Sequence, residues 1–213
     1  MKYSIIIPAH NSAAFIEKCL NSIEDQVFNR SEYELIIVCD ACEDDTYKVA
    51  LQYADKVLTT NFGNDGPPRQ AGVDAASGNW ILFLDDDDWW LHEYVLQAID
   101  EALSYNENID VLCFGFIFKG KGIAYPLRFT GGAPSLWPAV WNKCYRREFI
   151  QDVKFRSLKP TPDGEAPDID WTRRVIEKNP RINLLDMPLY YYVYNRPGSM
   201  TNTLVLREAE DDG

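Results

Sequence analysis

Residues Tyr3–Asp40 read "YSIIIPAHNSAAFIEKCLNSIEDQVFNRSEYELIIVCD", and the hydrophobic period changes twice along them. The two ends, "YSIIIPA" (3–9) and "YELIIVCD" (33–40), are continuous apolar runs rich in β-branched residues, as in strands buried on both faces. Between them "SAAFIEKCLNSIEDQ" (12–26) places Phe15, Ile16, Cys19, Leu20 and Ile23 at helical spacing behind Ser12, a candidate N-cap. Buried strand, amphipathic helix and buried strand together predict a parallel pair joined by a crossover helix.

The alternation continues outward from this unit. A helix is expected over 44–55, with Asp44 as its cap, then a short strand "KVLTT" (56–60). "GPPRQAGVDAASG" (66–78) has Pro early and Gly late, the asymmetry of a helix. "NWILFLD" (79–85) reads as another buried strand, followed by a helix over 92–106, with Asp88 and Trp89 leading into it. The fold class is therefore α/β, a Rossmann-like central sheet, mostly parallel and flanked by helices. Beyond residue 108 the character changes: strands over 109–120 and 122–129, a basic helix within 129–150, a helix over 170–179 and an aromatic strand region over 181–201. One domain spanning 1–213 is expected, with a regularly alternating half (1–108), a smaller mixed half (109–206) and a tail (207–213).

The chain has 213 residues, is 46% hydrophobic and 25% charged, and carries a formal charge of −12. That sign excludes an electrostatic nucleic-acid binder, which needs clustered Lys and Arg, and argues against simple adsorption to anionic lipid. The apolar run in "MKYSIIIPAHN" is too short for a signal peptide, and no stretch reaches the ~20 apolar residues of a membrane helix. The expected location is cytoplasmic, with peripheral association at the inner membrane face as the variant. Five cysteines, an odd number, fit reduced thiols. Cys39 and Cys42 form a C-x-x-C pair, but His10 and His92 lack the spacing of further zinc ligands.

In an α/β sheet, ligands sit beyond the carboxyl ends of the strands. Three of the strands here end on "PAHN", "CDACEDD" and "DDDDWW". The four carboxylates Asp85–Asp88 repel one another and resist burial unless a cation or hydrogen-bond donors offset the cost. In an extended segment Asp85 and Asp87 would share one side and Asp86 the other, giving two hard oxygen ligands for Mg²⁺ or Mn²⁺. The bland alternative is a solvated acidic loop.

The order and spacing of "YSIIIPAHNSAAFIEKCLNSIEDQ", "YELIIVCDACEDDT", "RQAGVDAASGNWILFLDDDDWW", "AVWNKCYRREFI" and "PLYYYVYNRPGSMT" resemble a family 2 glycosyltransferase of the GT-A fold, over roughly residues 3–201. The resemblance implies transfer of a monosaccharide from a nucleotide-diphospho-sugar, by default a UDP-sugar, to a glycan or lipid-linked acceptor hydroxyl. It implies a metal-assisted, inverting reaction with Mn²⁺ or Mg²⁺ as cofactor. It places Pro8, Ala9, His10 and Asn11 against the nucleotide and Asp40 on the base, with Cys39 where the family has a first aspartate. Arg69 falls near the ribose or phosphates, Asp85 and Asp86 near the ribose, and Asp87 with Asp85 on the metal. Asp168 in "APDIDW" falls where the family has its general base, with Pro167 replacing the usual Glu and with Asp170 and Asp163-Gly164-Glu165 as alternatives. Trp137, Trp141, Trp171 and Tyr190–Tyr192 are candidate sugar-stacking or packing residues, and Lys143, Arg146, Arg147, Arg196 and Ser199 candidate phosphate contacts. Two rival functions are a non-catalytic sugar-nucleotide or glycan-binding module and a sugar nucleotidyltransferase. The latter wants a Gly-rich basic loop after the first strand, which "PAHNSAAF" lacks.

Overall fold

The computed structural model describes residues 1–64, 66–106, 108–118, 122–124, 127–130, 133–158 and 166–193. β1 (Tyr3–Ala9) and β2 (Tyr33–Asp40) are parallel neighbours joined through α1 (Ile16–Glu24), as the pattern of 3–40 predicts. All but Pro8 of these two strands is buried, which is why both read as unbroken apolar runs. There follow α2 (Thr46–Tyr53), β3 (Lys56–Thr60), α3 (Gly66–Ala75) and β4 (Trp80–Phe83). The order β3-β2-β1-β4 is parallel throughout. The chain moves to one side of β1 and then returns to the other, so the ends of β2 and β4 part around β1 and open a crevice.

The second half extends the same sheet. It contains β5 (Trp89–Trp90), α4 (Val95–Ser104), β6 (Val111–Phe118), β7 (Gly122–Ala124), β8 (Leu127–Thr130), β9 (Ala133–Leu136), β10 (Lys143–Arg146), α5 (Arg147–Ile150), α6 (Pro167–Glu177) and β11 (Ile182–Tyr192). β10 runs antiparallel between β4 and β6, β11 is parallel to β6, and β5 pairs antiparallel with the end of β11. The sheet is therefore mixed, its parallel run interrupted by the reversed β10. Segment 143–146 is a strand rather than part of a basic helix, because Cys144 and Tyr145 are buried between β4 and β6. Trp89 does not start a helix; it lies in β5, and α4 begins only at Val95. Ser12 does not cap α1 with its side chain; its carbonyl accepts from Phe15 and Ile16 N–H.

Close approach sets how α3 sits. A methyl at Gly72 would lie 2.3 Å from Ile6 Cγ2, so the helix rests directly on β1. At Gly66 it would lie 2.3 Å from the Arg156 carbonyl oxygen and 3.2 Å from Pro167 Cβ.

The amino ends of the strands are locked by one carboxylate. Glu34, 3% exposed, accepts from Ser4 Oγ at 2.6 Å and Ser77 N–H at 2.6 Å, and pairs with Lys56 Nζ at 2.8 Å. Burial alone would raise its pKa, but the Lys56, Ser4 and Ser77 donors hold it at about 2. A folded-state pKa below the unfolded one stabilises the fold above about pH 4.5, and the gain disappears as pH falls toward 2. Glu34→Gln should cost ~3 kcal/mol at pH 7. Urea unfolding should show the gap to wild type shrinking as pH is lowered toward 2.5; a gap independent of pH would refute this role.

Candidate functional site

The carboxyl ends of β1 and β2 are tied into one floor. His10 Nδ1 lies 2.6 Å from the Asp40 carbonyl oxygen, and Asn11 Oδ1 accepts from Glu43 N–H at 2.8 Å. Ser12 N–H donates to Thr46 Oγ1 at 2.7 Å, while Asp44 accepts from Ala13 N–H at 3.0 Å and Thr46 N–H at 3.0 Å. Asp44 is thus a staple between two loops as well as part of the α2 entry. Both strands leave the sheet through a left-handed residue, Asn11 at φ 47° and Ala41 at φ 48°. Asn adopts that region readily; for Ala it is strained. Pro8 is tolerated in a central strand for a topological reason. Ile6 carbonyl accepts from Leu84 N–H at 3.1 Å. Bonding direction alternates along the strand, so Pro8 faces the same side two residues on, past the last β1–β4 pair. Ala9, 2% exposed, takes the Cys42 thiol on its carbonyl at 3.4 Å.

Asp40 is 5% exposed, and its carboxylate is already engaged. Oδ1 accepts from Thr60 Oγ1 at 2.8 Å and Phe62 N–H at 2.7 Å, and Oδ2 from Gly63 N–H at 2.8 Å. Three of its four acceptor directions fix the 60–63 loop beside the crevice. The neighbouring thiols are the opposite of reactive: burial pushes Cys39 up to about 12 and raises Cys42.

The acidic run at the end of β4 is a turn, closed by Asp88 N–H on the Asp85 carbonyl at 3.1 Å, so strand alternation does not apply to it. Each carboxylate meets a different surrounding. Asp85 pairs with Arg69 Nη2 at 2.6 Å, and Arg69 is itself 5% exposed on α3. Asp86 accepts from His10 N–H at 3.1 Å. Burial, then the Asp87 charge, pushes Asp86 up to about 7 despite that donor, and the Ser12 hydroxyl beside it falls short of a full hydrogen bond. Asp87 borders a cavity of about 890 Å³ along α1, with Lys18, Asn21, Trp89, His92 and Val193. Asp88 is fully buried and caps nothing; it accepts from Tyr190 Oη at 2.6 Å and Val193 N–H at 2.7 Å. Burial, then Asp85 and Asp87, raises its pKa well above the usual carboxylate range. Tyr190 Oη in turn accepts from Asp85 N–H at 3.2 Å.

Among the described residues no three His, Cys, Asp or Glu side chains form a ready metal cage. The donor set nevertheless fits a hard divalent cation. It offers carboxylate oxygens in excess of local positive charge, and Mg²⁺ or Mn²⁺ retains waters and ligand oxygens rather than a closed protein cage.

Asp168 is half-buried in the first turn of α6, whose N-cap, Ala166, makes no side-chain cap bond. It lies near enough to Lys143 and Tyr145 to influence their charge. Asp170 is 1% exposed and bound by Arg173 at 2.9 Å, Arg174 at 2.8 Å and Arg156 at 3.6 Å. It is a structural hub, held by hydrogen bonds from Arg173 and Arg174 and faced by Arg156. Asp163, Glu165, Arg196 and Ser199 lie outside the described residues.

The basic and aromatic candidates mostly turn inward. Lys143, fully buried, donates to Trp137 carbonyl, Ala139 carbonyl and Asn142 Oδ1 at 2.6–2.7 Å, and burial lowers it to about 8. Arg146 lies over Trp80 and Arg147 donates to the Gly78 carbonyl at 2.6 Å, both at the amino end of β4, away from the acidic run. Trp171 is core, stacked on Phe155 at 4.4 Å. Trp141 stacks on Tyr190 at 4.5 Å and Tyr192 at 5.0 Å. The Asp88–Tyr190 bond spans 102 residues of chain, so no local sequence pattern announces it. The Thr60–Gly63 loop around Asp40 was equally silent, since two of its three donors are backbone amides.

Residues 4–177 match the profile of glycosyl transferase family 2, so the chain belongs to that family. It is 30% identical over 216 residues to the poly(ribitol-phosphate) beta-N-acetylglucosaminyltransferase TarS of Staphylococcus aureus, covering 93% of this chain and 36% of that protein. It is 36% identical over 215 residues to the poly(ribitol-phosphate) beta-glucosyltransferase of Bacillus spizizenii, covering 93% of this chain and 33% of the relative. The chain thus spans about a third of the length of these relatives. The crystal structure of S. aureus TarS 1–349 with UDP-GlcNAc superposes with a TM-score of 0.81 at 26% identity, over 95% of this chain and 61% of that one. The fold is the GT-A architecture that the sequence resemblance implies. No helix among the described residues is long and apolar enough to cross a membrane.

Asp40→Asn would turn an acceptor toward an N–H as a donor. It should cost about 1–3 kcal/mol and speed amide exchange at Phe62 and Gly63 at least about tenfold, leaving the core protected. Unchanged exchange at those two amides would show that the carboxylate does not hold the loop.

Proposed function

We propose that this chain transfers a monosaccharide from a UDP-sugar to a hydroxyl of a polyol, glycan or lipid-linked acceptor, with Mn²⁺ or Mg²⁺ and with inversion at the anomeric carbon. One observation carries the reading: the Asp85–Asp87 turn at the end of β4 faces the parted end of β1, and His10 N–H bridges the two at 3.1 Å. UDP is favoured over other nucleotides because TarS, at 26% identity, was crystallised with UDP-GlcNAc. Poly(ribitol phosphate), named for both relatives, is the first acceptor to try.

In this reading Pro8, Ala9, His10 and Asn11 form the nucleoside wall, and Asp40 shapes the adjoining loop, with one acceptor direction left for the base. Asp86 meets the ribose side, and Asp87 with Asp85 holds the cation. Arg69 holds Asp85 in place through its ion pair. When bound, the cation supplies charge compensation on the diphosphate as the sugar–oxygen bond breaks. Asp168, in the first turn of α6, receives the proton of the attacking acceptor hydroxyl. Its rival Asp170 is held by three arginines, which favours Asp168.

Thermal shift with UDP-, GDP- and dTDP-sugars tests the donor site, since a bound nucleotide raises the melting temperature. UDP-GlcNAc or UDP-Glc with Mn²⁺ should give the largest rise, and no rise with any nucleotide would end the reading. Asp87→Asn should lower metal-dependent UDP release by at least about 100-fold. Asp168→Asn should cut transfer by roughly 10²–10⁴-fold while leaving the UDP–Mn²⁺ shift intact. Nucleotide binding without turnover on any acceptor would instead indicate a binding module.

A further inference from the structure

The buried pair Asp88 and Tyr190 has no part in the chemistry above, yet it touches the acidic turn from behind. Tyr190 Oη donates to Asp88 Oδ2 at 2.6 Å and accepts from Asp85 N–H at 3.2 Å. Asp88 Oδ1 accepts from Val193 N–H at 2.7 Å, just past the end of β11. Asp88 N–H closes the turn on the Asp85 carbonyl at 3.1 Å. The turn that carries Asp85–Asp87 is therefore bonded at its first and last residues to one tyrosine hydroxyl. That tyrosine is rigid: it is fully buried, in register with Trp90 and Phe116, and stacked on Trp141 at 4.5 Å.

We propose that Tyr190 and Asp88 are positioning residues that fix the acidic turn for a divalent cation bound with a nucleoside diphosphate. The inference rests on the donor-site reading above and adds the groups that hold its carboxylates from behind. A rigid strand lends its geometry to a turn that would otherwise spread under its own charge repulsion. Partners behind the ligands of a metal commonly govern affinity by 10–100-fold.

Tyr190→Phe keeps the ring and its stacking and removes only the shared hydroxyl, leaving Asp85 N–H and Asp88 Oδ2 without that partner. Calorimetric titration of Mn²⁺ into protein saturated with UDP should show at least about tenfold weaker metal binding. Asp88→Asn keeps an acceptor for Val193 N–H but not a carboxylate for Tyr190, and should weaken Mn²⁺ similarly. The double variant should be little worse than either single one, the signature of a shared interaction. Tyr3→Phe is the control for stability alone. It removes a tyrosine–carboxylate bond to Asp100, also 2.6 Å, from Tyr3 at the amino end of β1. It should leave Mn²⁺ affinity unchanged.

Wild-type affinity in a folded Tyr190→Phe, or an equal loss in Tyr3→Phe, would overturn the proposal. Additive losses in the double variant would overturn it as well. Wild-type protein that takes up no Mn²⁺ with UDP would remove the donor-site reading and this inference with it. A normal wild type beside an unaffected Tyr190→Phe would remove this inference alone.

Discussion

The parting of β2 and β4 on either side of β1 is the constraint from which the site follows. A parallel sheet that reverses its winding direction must leave one strand whose neighbours feed loops to opposite faces. Here that strand carries Pro8 near its end, which lacks the N–H that would have faced β4, and His10 and Asn11 follow it. The crevice needs no dedicated residues to hold it open. The register closes β1 against β4 only as far as Ile6 and Phe83, and the polar loops begin where pairing stops.

Around this crevice, charge is handled by giving each carboxylate a separate set of donors. Asp40 takes a hydroxyl and two backbone amides, Asp85 takes an arginine, Asp86 a single amide, and Asp88 a tyrosine and an amide. Four adjacent aspartates coexist because they do not share one environment. The two most deeply engaged, Asp40 and Asp88, brace the loops, while Asp87 borders open space. An acidic motif of this kind is partly scaffold and partly site, and burial decides which residue is which.

The alternation of strands and helices in the first half was legible because buried parallel strands and amphipathic helices have distinct periods. β1, β2, β3 and β4 lie close to where the apolar runs place them. Element starts were less legible: α1 opens at Ile16 rather than near Ser12, since the backbone of Ser12 is engaged with the α2 loop. The second half misled where strands are amphipathic and cross-linked at long range. "NKCYRR" looks like a basic helix, yet its lysine is buried against three oxygens and its arginines sit at the far end of β4. The turn geometry of Asp85–Asp88 could not be read either, because strand and turn share the same four letters. What distinguishes them is Tyr190, more than a hundred positions away.

The missing side chain at Gly66 gives the molecule a mechanical property. α3, which carries Arg69, begins there with its backbone against the Arg156 carbonyl and Pro167, and α6, which carries Asp168, begins at Pro167. The start of α3 leaves no room for a methyl group against the Arg156 carbonyl and little against Pro167. Steric repulsion rises too steeply for solvent conditions to soften it, so the approach of the α3 start, three residues before Arg69, to the α6 start, one residue before Asp168, is set by contact. Such a stop depends on atomic volume, which neither ionic strength nor pH alters.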